Sequence, residues 1–195
     1  MKMIRLSILL FFLNLSFLMA QENLSNEVNI GYGLGTSTTA INAFGAALFS
    51  GDDNVNTNSS GAFYISYKIA VSKRFRLGAL FIREKVESEE IERPENTISE
   101  QITVRANTFA LEFDYRYVFK EKLQLYSGIG VGYTFGEQDL IRKPGVGQRS
   151  ESENVNHFNC QFNFFGIRYG KSFGIFAEFG YGYKGIFNAG VSFQF

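Results

Sequence analysis

Ile186-Phe187-Asn188-Ala189-Gly190-Val191-Ser192-Phe193-Gln194-Phe195 alternates residue by residue. In an extended chain Phe187, Ala189, Val191, Phe193 and Phe195 fall on one side, with Asn188, Gly190, Ser192 and Gln194 on the other. A two-residue period that separates apolar from small polar side chains this cleanly marks a strand whose two faces meet unlike surroundings.

Working back from that stretch, seven earlier segments share the pattern, each bounded by Gly, Ser, Asn or charged residues. Residues 28–35 set Val28, Ile30, Tyr32 and Leu34 against Asn29, Gly31 and Gly33, and residues 62–71 set Phe63, Ile65, Tyr67 and Ile69 against Tyr64, Ser66 and Lys68. Residues 75–85 begin with Phe75, Leu77, Ala79 and Phe81 against Arg76 and Gly78. Leu80 and Ile82 then fall on the polar side, so a bulge near Leu80 is expected to shift the phase. In residues 102–117, Phe109, Leu111, Phe113, Tyr115 and Tyr117 alternate with Thr108, Ala110, Glu112, Asp114 and Arg116. Arg105 and Asn107 occupy the apolar phase there and are expected to stand clear of a bilayer. Residues 123–135, 155–169 and 173–183 complete the set.

The connections alternate between long and short. Residues 36–60, 86–101 and 137–154 read as long loops, whereas Ser72-Lys73-Arg74, Lys120-Glu121-Lys122 and Gly170-Lys171-Ser172 are tight and each carries Lys. The connection around Lys184-Gly185 is expected to be short and external. Pro94 and Pro144 both fall in long loops, as they must if every strand is paired on both sides.

Eight alternating strands, this loop asymmetry and a terminal Phe195 two residues after Phe193 resemble the small eight-stranded β-barrel proteins of bacterial outer membranes, the outer membrane protein beta-barrel domain family. The resemblance covers residues 28–195. It implies an all-β fold, an eight-stranded antiparallel up-and-down transmembrane β-barrel, with tight periplasmic turns and longer external loops. It also implies that Phe193 and Phe195 act as the assembly signal for the barrel-assembly machinery, and that the cell outer membrane is the location.

The start of the chain agrees with export. Lys2 and Arg5 precede an apolar run from Leu6 to Ala20, which reads as a signal peptide cut after Ala20. Leu18 is large for the position it would hold before the cut, and no Cys follows Ala20 to suggest a lipid anchor. Residues 21–195 form the barrel domain, with no appended periplasmic domain expected. Loss of Lys2 and Arg5 leaves 17 of 19 basic residues against 19 acidic ones, so charge offers no case for nucleic acid. The single Cys160 and single His157 supply neither a disulfide nor a metal cluster, and no cofactor is expected.

A soluble lipocalin-like carrier would also be an eight-stranded barrel, but with its apolar face inside. Here the polar face is rich in Gly, Asn, Gln and Ser and suits a narrow lumen, and the absence of Trp removes the Gly-x-Trp motif usual in lipocalins. The polar face also collects Lys68, Arg76, Glu112, Asp114, Arg116 and Glu178, three charges of each sign, which can satisfy one another in an enclosed, hydrated lumen. The apolar face is therefore expected to meet outer-membrane lipid. Eight strands leave an interior that side chains can fill, with inward Gly residues making room for Tyr64, Tyr126 and Phe176.

Some barrels of this shape acylate or deacylate lipid A. In the deacylase pattern a His precedes the nucleophilic Ser by two residues, but here His157-Phe158-Asn159 has Asn at that place, while Ser150 and Ser152 lie in a loop. In the first long loop, Ile41, Phe44 and Leu48 share one helical face in an apolar run and are candidates for contact with the barrel mouth, the membrane interface or a protein partner. The expected role is that of a non-enzymatic surface protein, structural or acting in recognition through its loops toward an unknown ligand or partner. The alternatives are a lipid A-modifying enzyme and a narrow channel or secretion-machinery accessory.

Overall fold

The computed structural model describes residues 25–40, 55–92, 97–142 and 149–195. The signal segment and Ile41, Phe44 and Leu48 lie outside the described residues. Ten strands follow in chain order: β1 Glu27–Leu34, β2 Val55–Ser59, β3 Ala62–Ala70, β4 Phe75–Glu92, β5 Thr97–Phe119, β6 Leu123–Arg142, β7 Arg149–Asn154, β8 His157–Gly170, β9 Phe173–Gly182 and β10 Phe187–Gln194. Eight of them, β1, β3, β4, β5, β6, β8, β9 and β10, form a closed antiparallel ring. Closure comes from β1 against β10, with Val28 opposite Phe193 and Leu34 opposite Phe187. The seam ends in two backbone bonds, Asn26 N to Phe195 O at 2.8 Å and Phe195 N to Asn26 O at 3.0 Å.

The remaining two strands extend the ring upward. β2 precedes β3 across a kink at Gly61, whose φ of 71° suits a residue without a side chain, and β7 precedes β8 across Val155-Asn156. β2 pairs with the upper part of β4, and β7 with the upper part of β6. The sequence reading of residues 55–59, 86–92, 97–101, 137–142 and 149–154 as parts of long loops is thus corrected. β5 runs for 23 residues, against 10 in β9, and pairs with β4 as far as Thr97. These upper segments carry no clean apolar face, so periodicity could not reveal them; a ladder already in register simply continues as far as its hydrogen bonds find partners.

Alternation decides the two faces almost everywhere. β9 reads exposed, buried, exposed throughout, with Gly174, Phe176, Glu178 and Gly180 inside and Phe173, Ile175, Ala177 and Phe179 outside. Aromatic rings gather toward both ends of the outward face: Phe75, Tyr115, Tyr117, Tyr169, Phe173 and Phe193 near the short turns, and Tyr32, Phe63, Phe109, Phe135 and Tyr181 near the opposite rim. Ile30, Ile65, Leu77, Leu111, Ile129, Val131 and Ile175 lie between.

Departures from simple alternation are local, and one of them is a register shift between β5 and β6 at Arg116/Val118, next to the short turn. The bulge expected near Leu80 is absent: β4 and β5 stay in register from Phe75 to Glu90, and the only shift falls at Glu90/Ile91. Leu80 and Ile82 keep the inward phase and pack with Ala62, Tyr64, Ala110, Phe176 and Tyr183 in an apolar lumen cluster. Ring space inside the barrel favours apolar side chains there as readily as polar ones.

The phase change that reshapes the lumen lies in β8. Its pairing with β6 and with β9 shifts around Phe164 and Phe165, where both rings point outward. One extra residue on β8 reverses the faces beyond it, so Gly166 and Arg168 turn inward. The Phe164 carbonyl freed by the bulge accepts a hydrogen bond from Ser127 Oγ at 2.6 Å. Ser127 is the hydroxyl that interrupts the outward row of Leu125 and Ile129 on β6.

Candidate functional site

The lumen holds the densest chemistry. Lys68 on β3 and Arg76 at the start of β4 face inward because both sit in the polar phase, as do Glu112, Asp114 and Arg116 on β5 and Glu178 on β9. Lys68 Nζ lies 2.8 Å from Asp114 Oδ2, 3.2 Å from Glu112 Oε2 and 4.0 Å from Glu178 Oε1. Arg76 bridges Asp114 Oδ2 and Glu27 Oε2, both at 2.9 Å. Arg116 stands apart from this chain of ion pairs, donating to Gln124 Oε1 at 3.4 Å and the Ser72 carbonyl at 3.2 Å.

Three members were not singled out from the sequence. Glu27 extends the polar phase of β1 by one step below Asn29, a signal that was present but lay at a strand end. Arg168 falls in the apolar phase of an uninterrupted β8, and only the bulge brings it inside, where its Nε reaches Ser192 Oγ at 2.7 Å and Glu27 Oε2 at 3.4 Å. Its other nitrogens donate to the carbonyls of Gly170 at 2.9 Å and Lys171 at 2.7 Å. The adjacent pair Phe164-Phe165 in an otherwise alternating strand was the legible trace of this bulge.

Lys184 is the larger surprise. The connection between β9 and β10 is short, as expected, but it folds into the barrel rather than away from it. Gly182, with φ 143°, turns the chain so that Tyr183 and Lys184 are only 2% and 1% exposed. Lys184 Nζ sits 2.8 Å from Glu112 Oε1 and 2.6 Å from Glu178 Oε2. Gly33 permits this, since a side chain there would overlap the Lys184 carbonyl.

Four cations, Lys68, Arg76, Arg168 and Lys184, thereby meet four carboxylates, Glu27, Glu112, Asp114 and Glu178. Such mutual pairing is what makes enclosed charge tolerable, because each partner offsets the other's lost hydration. Tyrosines complete it: Tyr126 donates to Glu178 Oε1 at 2.8 Å beneath the Arg76 guanidinium, which lies 4.6 Å from its ring centroid, and Tyr64 donates to Asn188 Oδ1 at 2.6 Å. Tyr64 stands opposite Gly31 and Tyr126 opposite Gly166, where a Cβ would collide with each ring.

Both ends of the lumen are tied. At the short-turn end Gln124 donates to Gln194 at 3.2 Å, and Gln194 in turn bonds Glu27. At the upper end Glu84 accepts hydrogen bonds from Thr36, from Thr39 at 3.0 Å and from Ser59 at 3.2 Å, while Ser37 exchanges bonds with Asn159. The chain leaving β1 is thus held over the mouth. His157 lies opposite Thr134 on β6, and its Nε2 has no hydrogen-bond partner among the described residues. Phe193 and Phe195 point outward with ring centroids 5.8 Å apart, and Arg105, also outward, pairs with Asp139 at 2.7 Å above the apolar rows.

No family model and no curated protein matches the chain. Among solved structures it is similar to the N-terminal β-barrel domain of Pseudomonas aeruginosa OprF, at 14% identity and a TM-score of 0.41, over 88% of this chain and 97% of that one. It is also similar to Ail, the attachment invasion locus protein of Yersinia pestis, in complex with the heparin analogue sucrose octasulfate, at 12% identity and a TM-score of 0.42, over 88% and 94% of the two chains. A further structure of Ail gives 11% identity and a TM-score of 0.41 over 88% and 93%.

Proposed function

We propose that the chain is an integral outer-membrane β-barrel protein without enzymatic activity. On this reading its raised sheet and loops serve a structural or recognition role at the cell surface, toward an unidentified ligand or protein. The observation that carries it is the division of side chains across one closed ring. Phe, Ile, Leu, Val and Tyr form a continuous outward belt, while the four cations and four carboxylates of the network are enclosed. In water that belt would far exceed the few hundred Å² of contiguous apolar surface usual for soluble monomers. In a bilayer it is the surface required, and a closed ring leaves no strand edge unpaired in hydrocarbon. Of the 23 residues in β5, about 10 suffice to cross the bilayer, so the upper half stands outside it.

A non-catalytic role fits the lumen, where carboxylates and cations are occupied with one another rather than aimed at an open cleft. The paired charges and the apolar cluster around Tyr64 and Ile82 likewise favour a filled interior over a channel. Processed protein is expected in the outer-membrane fraction, migrating on unheated gels as a compact band that heating abolishes. In planar bilayers it is expected to give no large, stable conductance. Recovery as a detergent-free soluble monomer overturns the membrane reading, and a long-lived large open state overturns the filled lumen.

Ser127→Ala probes the same premise at one atom. With lipid outside, the bulge carbonyl of Phe164 loses its donor and nothing replaces it, so a loss of about 1–3 kcal/mol is expected. The measure is the urea midpoint of the folded gel band. With water outside, the carbonyl would be resolvated and the midpoint would hardly move.

A further inference from the structure

Directly above the upper aromatic row, the outward face of β4, β5 and β6 forms a groove of about 760 Å³. Its lower edge is set by Phe63 and Phe135, and across it run Arg83, Lys85 and Arg105. Lys85 stands directly opposite Arg105 on the neighbouring strand, and Arg83 opposite Asn107. Like charges facing each other across a ladder repel, and an anion between them would relieve this. Lys85 is paired with Glu87 and Arg105 with Asp139, but both are exposed pairs of the kind that contribute little and exchange readily. Two carboxylates also line the groove: Glu137, opposite Arg105, and Glu84, which accepts hydrogen bonds from Thr39 and Ser59. Arg83 forms no ion pair among the described residues and is the cation most free to bind.

We propose that this groove holds the phosphate of an acylated lipid of the outer leaflet. Arg83 and Lys85 take the anion, and Phe63 and Phe135 lie against the acyl or sugar portion below it. The inference rests on the membrane reading above, because that reading places the top of the apolar belt, and hence this groove, at the depth of the lipid headgroups. The position favours a lipid over a free anion: the cations adjoin the belt, so one molecule can satisfy the arginine and the aromatic edge together. A volume of this size lies within the usual range for small-molecule sites, roughly 300–1,000 Å³.

The test is native mass spectrometry of the folded protein released from micelles containing either bisphosphorylated lipid A or the same acylated disaccharide without phosphates. Wild type is expected to retain the phosphorylated lipid at least about tenfold better, and Arg83→Gln with Lys85→Gln to abolish that preference. Lys120→Gln with Lys122→Gln, which removes two cations at the opposite end of the barrel, is expected to keep it. Each variant is first shown to give the heat-modifiable folded band. Equal retention of both lipids, retention by the Arg83/Lys85 variant, or an equal loss in the control variant overturns the site while leaving the membrane reading intact. Displacement of the lipid by equimolar inorganic phosphate overturns the lipid as occupant. A wild-type chain that gives no micelle-bound folded band overturns the membrane reading and this site with it.

Discussion

Lys184→Met lowers the stability of the folded barrel by about 3–5 kcal/mol, the cost of removing one partner from a buried ion pair. The expectation is sharp because the position looks harmless: a solvated lysine in a four-residue turn would change stability by no more than ~0.5 kcal/mol when replaced. Here the ammonium lies between Glu112 and Glu178, at 2.8 and 2.6 Å, in a lumen where its side chain is 1% exposed. Without it, two carboxylates share Lys68 alone, and Lys68 is already committed to Asp114 at 2.8 Å. Neutralising one of them should compensate, so Lys184→Met with Glu178→Gln is expected to recover part of the loss. The urea midpoint of the heat-modifiable band reads both variants. A midpoint for Lys184→Met indistinguishable from wild type would show that the β9–β10 connection lies outside the barrel.

Deletion of both Phe164 and Phe165 is expected to prevent folding, or to cost more than about 3 kcal/mol, while deletion of Phe165 alone leaves a folded barrel. Without Phe165 alone, Gly166 follows Phe164 in strict alternation, β8 pairs continuously with both β6 and β9, and Gly166 and Arg168 stay inside. Losing the doublet instead changes phase. Ile167 and Tyr169 would turn into a lumen filled by Tyr126 and Arg76, and Arg168 would turn out. So close to the short turn, Arg168 would pay only about 0–1 kcal/mol for facing lipid. Its larger loss is inside: the bonds to Ser192, Gly170 and Lys171 disappear, and Glu27 keeps only Arg76 as a cationic partner. Deletion of Phe165 alone removes the bulge and sacrifices only outward contact. Equal tolerance of the two deletions would refute the assigned phase change.

The two variants mark where the sequence was and was not legible. Strand alternation identified Lys68, Arg76, Glu112, Asp114, Arg116 and Glu178 as polar-phase residues, and the structure places all six inside, with Arg116 outside the chain of ion pairs. Glu27 could have been found by running the phase of β1 one residue further. Arg168 required weight to be given to the doublet Phe164-Phe165. Lys184 left no trace, since a turn has no period.

By itself the sequence determined which residues face apart within each unbroken run of alternation, that eight such runs exist, and that one face of each run is mainly apolar. A period of two is a local property, set by the pleat of the extended backbone, and it survives translation into any sheet. Only the tertiary structure decided where the period breaks, that β4, β5 and β6 continue as a raised sheet, and which charges meet across the lumen. The physical reason is that one inserted residue inverts every face beyond it, while partners across a barrel are selected by the stagger of its closed ladder and by the path of a turn. Neither of these is written in the spacing of residues along the chain.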